Sequence, residues 1–201
     1  MLMGSIIIPE FRIKYSDVFS LRNLYIMMHQ LLLEEGWRGV DGDADHTDIE
    51  TLYSENIYQK GIHRGGKEMW VWWRARKYWE GRYSGYFRSR LDIDMHIVYS
   101  QDVEAVHQGK KIRVQKGEIE IFFRPRIESD YGDFKWEDHW LLKHIKHIYE
   151  RRLIHGEIEK REKELWRDVY RIHAKIKDYL NLRNFLPVAP AFFPKKYGWE
   201  E

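Results

Sequence analysis

Cysteine is absent from this 201-residue chain, which excludes disulfides, thiolate zinc sites, iron–sulfur clusters and cysteine nucleophiles. Amides are scarce as well: five Gln and four Asn stand against 34 Lys+Arg and 32 Asp+Glu. Few thermolabile side chains and dense charge are the composition of hyperthermophile proteins, so a thermophilic source is expected. Long apolar runs are missing too. No window approaches the 18 uncharged apolar residues of a membrane span. The opening MLMGSIIIPEF has no basic region and meets Pro9 and Glu10 after a few apolar residues. The chain therefore reads as a cytoplasmic protein without signal peptide or membrane association.

What is present describes a packed domain. Hydrophobic residues at 43% and aromatics at 15% are too abundant for a disordered chain. A chain of this length buries roughly 70% of its unfolded surface and needs no metal or disulfide to fold. One α+β domain over residues 1–185 is expected. An extended tail, residues 186–201, follows with three prolines and four aromatics, suited to strapping over an apolar surface of its own or of a partner.

Charge is balanced overall at +2 but not along the chain: residues 1–59 carry −6, 60–90 carry +7, 91–140 carry −4 and 141–201 carry +5. The basic block also holds Trp70, Trp72, Trp73, Trp79 and several Tyr and Phe. Basic and aromatic side chains in one stretch point to a polyanion, most commonly nucleic acid. The bland reading is an edge face paired against the acidic blocks on either side.

Periodicity supplies the elements. Residues 5–14 read as an edge strand, because Pro9 cannot donate to a ladder. Ser20 caps a helix to about Glu35, with Leu24, Met28, Leu31 and Leu32 on one stripe. Strands follow at 51–60, 67–78, 84–106 and 110–126, then helices at 136–154 and 157–182. The second of these carries Leu165, Val169, Ile172, Ile176 and Leu180 at helical spacing. The expected architecture is a curved antiparallel sheet of four or five strands, backed by an N-terminal helix and two C-terminal helices.

Opposite residues of an antiparallel pair have a constant index sum. Apolar alternation in 110–126 switches parity at Lys116–Gly117, which implies a bulge there. With that bulge, Met95 faces Phe123, Ile97 faces Ile121 and Ile93 faces Pro125. On the other side Asp92 meets Arg126 and Asp94 meets Arg124 as structural ion pairs. For 67–78 against 84–106 the expected partners are Met69–Met95, Val71–Ile93 and Trp73–Leu91, with Arg74 beside Arg90 and Arg76 beside Arg88. One sheet face then gathers Trp70, Trp72, Arg74, Arg76, Arg88 and Arg90 as candidate nucleic-acid contacts.

Catalytic signatures are thin. Asp92, Asp94 and His96 alternate on a strand and have metal-binding chemistry, but each aspartate already has an arginine opposite. His139, His144 and His147 share a helix without an HExxH pattern. The acidic loop of Asp41, Asp43, Asp45, Asp48 and Glu50 has His46 and Leu52 where a calcium loop needs Gly and Glu. No P-loop, GxGxxG or GxSxG motif occurs. No cofactor and no metal are therefore expected, and enzymatic activity is disfavoured.

The leading expectation is a non-enzymatic protein that holds RNA, single-stranded DNA or a ribonucleoprotein surface on its arginine–tryptophan face. A structural or assembly subunit, pairing with a protein partner or its own copies through that face or the tail, is the first alternative. A small-ligand binder or metal-dependent enzyme with Asp92, Asp94 and His96 at the floor of a cavity is the second.

Overall fold

In the computed structural model, residues 5–39, 48–81, 84–107, 110–131 and 136–182 are described. Strands β1 (Ser5–Ile7) and β2 (Phe11–Phe19) precede helix α1 (Leu21–Glu34). Strands β3 (Glu50–Ile57), β4 (Lys67–Tyr78), β5 (Phe87–His107) and β6 (Lys110–Ser129) follow, then helices α2 (Leu142–Ile148) and α3 (His155–Tyr179). The sheet has six strands in the order β1-β6-β5-β4-β3, with β2 also paired to β6. All the strand pairings are antiparallel. The tail at 186–201, Asp41, Asp43 and Asp45, and the side chain of His147 lie outside the described residues.

The class is the expected α+β, with one strand more than anticipated, because the segment at 5–14 is two strands. Pro125 explains the split. It sits within β6 without an N–H, and the interruption between β1 and β2 lies opposite it: Ile7 pairs with Arg126, and pairing resumes at Phe11 with Phe123. Across the gap the Ile8 amide donates to the Pro125 carbonyl at 3.2 Å.

The β5–β6 hairpin bulges as predicted, but on the other strand. Between Val98 and Gln101 the extra residue belongs to β5, where Tyr99 takes a φ of 57°. Gly117 lies opposite for a steric reason: a Cβ there would stand 2.9 Å from the Val98 carbonyl oxygen and 3.0 Å from the Ser100 Cα. Moving the extra residue shifts the later register by two. Met95 therefore faces Ile121, Ile97 faces Ile119 and Ile93 faces Phe123. The β4–β5 ladder is shifted by two as well, giving Met69–Ile97, Val71–Met95 and Trp73–Ile93. A two-residue shift preserves which side chains share a face, so the apolar face survives both corrections.

That face is the core. Ile93, Ile121 and Phe123 are wholly buried and Met95 nearly so, in one cluster with Leu24, Met28 and Leu32 of α1 and Leu165, Val169, Ile172 and Ile176 of α3. Ser20 Oγ caps α1 by accepting the Asn23 amide at 3.4 Å, and Gly36 at φ 83° ends the turn that follows. The segment expected as one helix at 136–154 is three pieces: a 3-10 turn at Trp136–Asp138, α2, and a π-helical turn at Tyr149–Leu153. His139 Nδ1 accepts the Leu141 and Leu142 amides at 3.3 and 3.4 Å, a local cap at the start of α2.

Aromatic rings bind α3 to the sheet edge. Phe11 stacks on Phe123 at 5.3 Å and on Tyr170 at 5.2 Å, and His173 meets Phe11 edge-on at 5.3 Å. Desolvation in this cluster, with Lys177 a lesser cause, lowers the His173 pKa below its ordinary 6.5. Below pH 6.5 the unfolded chain then binds more protons than the folded one, so stability falls on acidification toward the lowered value. In urea titrations across this window, His173→Gln is expected to flatten that slope.

A second polar cluster closes the end of β6. Asp130, at φ 58°, accepts the Trp136 amide on both carboxylate oxygens at 3.1 and 2.9 Å, and its Oδ2 lies 3.1 Å from Lys146 Nζ of α2. Both side chains are buried. Beside them, Glu150 accepts the Tyr86 hydroxyl at 2.7 Å and the Ser129 hydroxyl at 2.9 Å. Burial, reinforced by Glu150, raises the Tyr86 pKa far above the ordinary phenol value.

Candidate nucleic-acid interface

Alternation along a strand sends every second side chain to the face opposite the core. Directly opposite residues define rows across β4, β5 and β6: Trp70–His96–Glu120, Trp72–Asp94–Phe122, Arg74–Asp92–Arg124, Arg76–Arg90–Arg126 and Tyr78–Arg88–Glu128. The expected neighbours therefore change. Arg74 lies beside Asp92 rather than Arg90, Arg76 beside Arg90 rather than Arg88, and Trp72 beside Asp94 rather than Asp92. This side faces away from α1 and α3, so Asp92, Asp94 and His96 floor no cavity between sheet and helices.

A row of three arginines is repulsive on its own; the carboxylates in the adjacent rows offset it. Asp92 lies 3.0 Å from Arg90 Nε, 3.2 Å from Arg126 Nη2 and 3.7 Å from Arg74 Nε. Asp94 takes Arg74 Nη1 at 2.6 Å and also pairs with Arg124. The Asp92–Arg126 and Asp94–Arg124 ion pairs thus exist, as diagonal contacts rather than ladder partners. Glu128 takes Arg88 Nε at 2.5 Å and stands 3.6 and 3.5 Å from Arg90 and Arg126. Glu10 pairs with Arg124.

Glu128 and Glu10 are the contributors that sequence reasoning missed. A strand ending at Arg126 stops short of Glu128, although the alternation of RPRIES runs through it. Glu10 reaches Arg124 only because the edge strand breaks opposite Pro125. Glu118 and Glu120, further along β6, pair with Lys14 at 2.5 and 3.1 Å.

Five of the six arginines of this face, Arg74, Arg88, Arg90, Arg124 and Arg126, thus share Asp92, Asp94, Glu128 and Glu10 in one lattice. Aromatic planes border it. Arg74 lies over the Trp72 ring at 5.5 Å, Arg88 over Tyr131 at 4.8 Å and Arg124 over Phe122 at 5.8 Å. Trp70 stacks on His96 at 3.7 Å, and His96 Nε2 is 2.9 Å from Glu68, which holds the Glu68 pKa below its ordinary value. Trp72 is 39% exposed. The guanidiniums are held in fixed orientations by two or more partners each in most cases. Such an array can exchange a carboxylate for a phosphate; it offers no activated nucleophile. Among the described residues no group of three or more His, Asp or Glu is arranged to hold a metal ion. No described helix is long and apolar enough to cross a membrane.

The fold and this face define an α+β protein with an arginine-rich sheet surface on the side away from α1 and α3. No family model matches the chain, and no curated protein matches it. Among solved structures, a delta-endotoxin is similar over 63% of this chain, at 8% identity and a TM-score of 0.31. The chain spans 61% of that structure's length, and a likeness this weak carries no argument about function.

Proposed function

We propose that this is a non-enzymatic binding protein whose open sheet face holds single-stranded RNA or DNA. The observation that carries the proposal is the arginine lattice interleaved with Trp72, Trp70 and Phe122 on a face that neither α1 nor α3 covers. Guanidiniums neutralise phosphates, while exposed indole planes take unstacked bases. The ion pairs set the strength of the effect. If two phosphates are neutralised, the log–log salt slope is about −1.4, at roughly −0.7 per phosphate. If four arginines trade carboxylates for phosphates, it approaches about −3.

Filter binding of generic RNA and single-stranded DNA across a salt series tests this. Trp72→Ala is expected to weaken binding by roughly 1–3 kcal/mol with little change in slope. No retention of either polymer at low salt and high micromolar protein would end this reading. A protein partner would then lead, a second reading favoured by the exposed row of Leu141, Ile145 and Ile148 beside Trp140 on and before α2.

A further inference from the structure

The two edges of the sheet are built differently. The β1/β2 edge is interrupted at Pro9 and Glu10 and carries Arg12 and Lys14. β3, the opposite edge, runs unbroken for eight residues, ETLYSENI, without proline, lysine or arginine. Its bulge falls at its start, between Glu50 and Leu52. Edge strands that stay single are blunted by Lys, Pro, shortness or bulges; most of β3 lacks these devices.

The phase of its free hydrogen bonds follows from the ladder. The Tyr58 amide donates to the Gly66 carbonyl at 2.9 Å. Bonded pairs alternate along an antiparallel ladder, so Asn56–Glu68 and Ser54–Trp70 are bonded pairs as well. Tyr53, Glu55 and Ile57 then turn their N–H and C=O groups away from β4. No described strand lies beyond β3 to take them. Leu52, Tyr53 and Ile57 are 36, 51 and 60% exposed.

We propose that two copies of this chain join through β3, antiparallel across a two-fold axis at Ser54. In that register Tyr53 lies opposite Glu55 of the partner subunit, Leu52 opposite Asn56 of the partner subunit, and Ser54 opposite its own copy. Tyr53 already donates its hydroxyl to the Glu55 carboxylate of its own strand at 2.8 Å, so each phenol sits between two acceptors. No like charges come directly opposite. Centring the axis on Glu55 instead would oppose two glutamates, a destabilising pair. Roughly four backbone hydrogen bonds form across the seam, and Leu52, Tyr53 and Ile57 gain neighbours. The contact is isologous and closes after two copies.

Opposite residues of a ladder share a face, so the two arginine–tryptophan faces fall on the same side of a continuous sheet. Trp72, whose ladder partner is Leu52, lies one strand from the seam in each copy. The dimer does not depend on nucleic-acid binding.

Light scattering of the full chain is expected to give the mass of two copies. Glu55→Pro removes an N–H directed away from β4, and should give one copy with an unchanged far-UV spectrum. The natural chain has no cysteine, so single-cysteine variants report geometry cleanly. On the axis, Ser54→Cys sits in a non-hydrogen-bonded pair with Cα atoms about 4.5 Å apart, within disulfide range. It should cross-link on oxidation, while Asn56→Cys should not. A one-copy mass for the natural chain at high micromolar concentration overturns the proposal. So does a dimer that persists in folded Glu55→Pro, or equal cross-linking of the two cysteine variants. If Glu55→Pro fails to fold, the cysteine pair decides.

Discussion

Lys146→Ala is expected to lower the folding stability of this chain by about 3–5 kcal/mol, the range found when one partner of a buried ion pair is removed. The loss comes from Asp130, which stays buried with the Trp136 amide as its remaining side-chain partner among the described residues. Its left-handed backbone holds the carboxylate in place, so it has little freedom to turn toward water. The double variant Lys146→Met with Asp130→Asn should recover much of the loss. Asn tolerates that backbone region and accepts the Trp136 amide, and an apolar replacement of a buried pair is often neutral. Urea denaturation of the three proteins checks this. A loss below about 1 kcal/mol for the single variant would mean that water solvates Asp130.

Asp92→Asn is expected to move stability and binding in opposite directions. Asp92 is the anion shared by Arg74, Arg90 and Arg126. Neutralising it should cost about 2–3 kcal/mol, less than for a fully buried pair because these arginines keep some contact with solvent. The same change makes the face more positive by one charge. Affinity for a single-stranded oligonucleotide should then rise, and the salt slope should steepen by roughly 0.7. Thermal melting and a salt series on the same preparation read both effects. A destabilised variant with unchanged oligonucleotide affinity would make the arginine lattice a purely structural device.

The faces of the sheet were legible in the sequence, and the partners across it were not. Parity decides which side chains share a face, and parity is visible in Ile93, Met95 and Ile97 or in Asp92 and Asp94. Register depends on where an extra residue sits, and a switch of alternation in one strand does not say which strand bulges. Gly117 marked the place; the extra residue lay across the ladder at Tyr99, whose backbone gives no sequence signal. The ion pairs tolerated the error because arginine reaches diagonally as well as straight across.

The α1 and α3 stripes were readable because their apolar spacing is regular, and α1 also carries Ser20 and Gly36 at its ends. The break of the 136–154 segment was not, since nothing in WEDHWLLKHIKHIYERRL interrupts helical propensity. The buried Asp130–Lys146 pair was equally hidden, being a charge on a solvent-looking helix meeting a charge just past a strand. Glu10 and Glu128 escaped for a different reason. Glu10 meets Arg124 at the break opposite Pro125, and Glu128 lies past the strand end read at Arg126, whereas β6 runs on to Ser129.

Resonances of the arginine Nε–Hε groups, recorded with and without a single-stranded oligonucleotide, test the central claim most directly. Arg74, Arg90, Arg124 and Arg126 lie on the open face, whereas Arg161 and Arg171 belong to α3, on the helical side. The account predicts shifts confined to the first group, reversed by added salt. Unmoved signals on the open face, or shifts centred on Arg161 and Arg171, would contradict it.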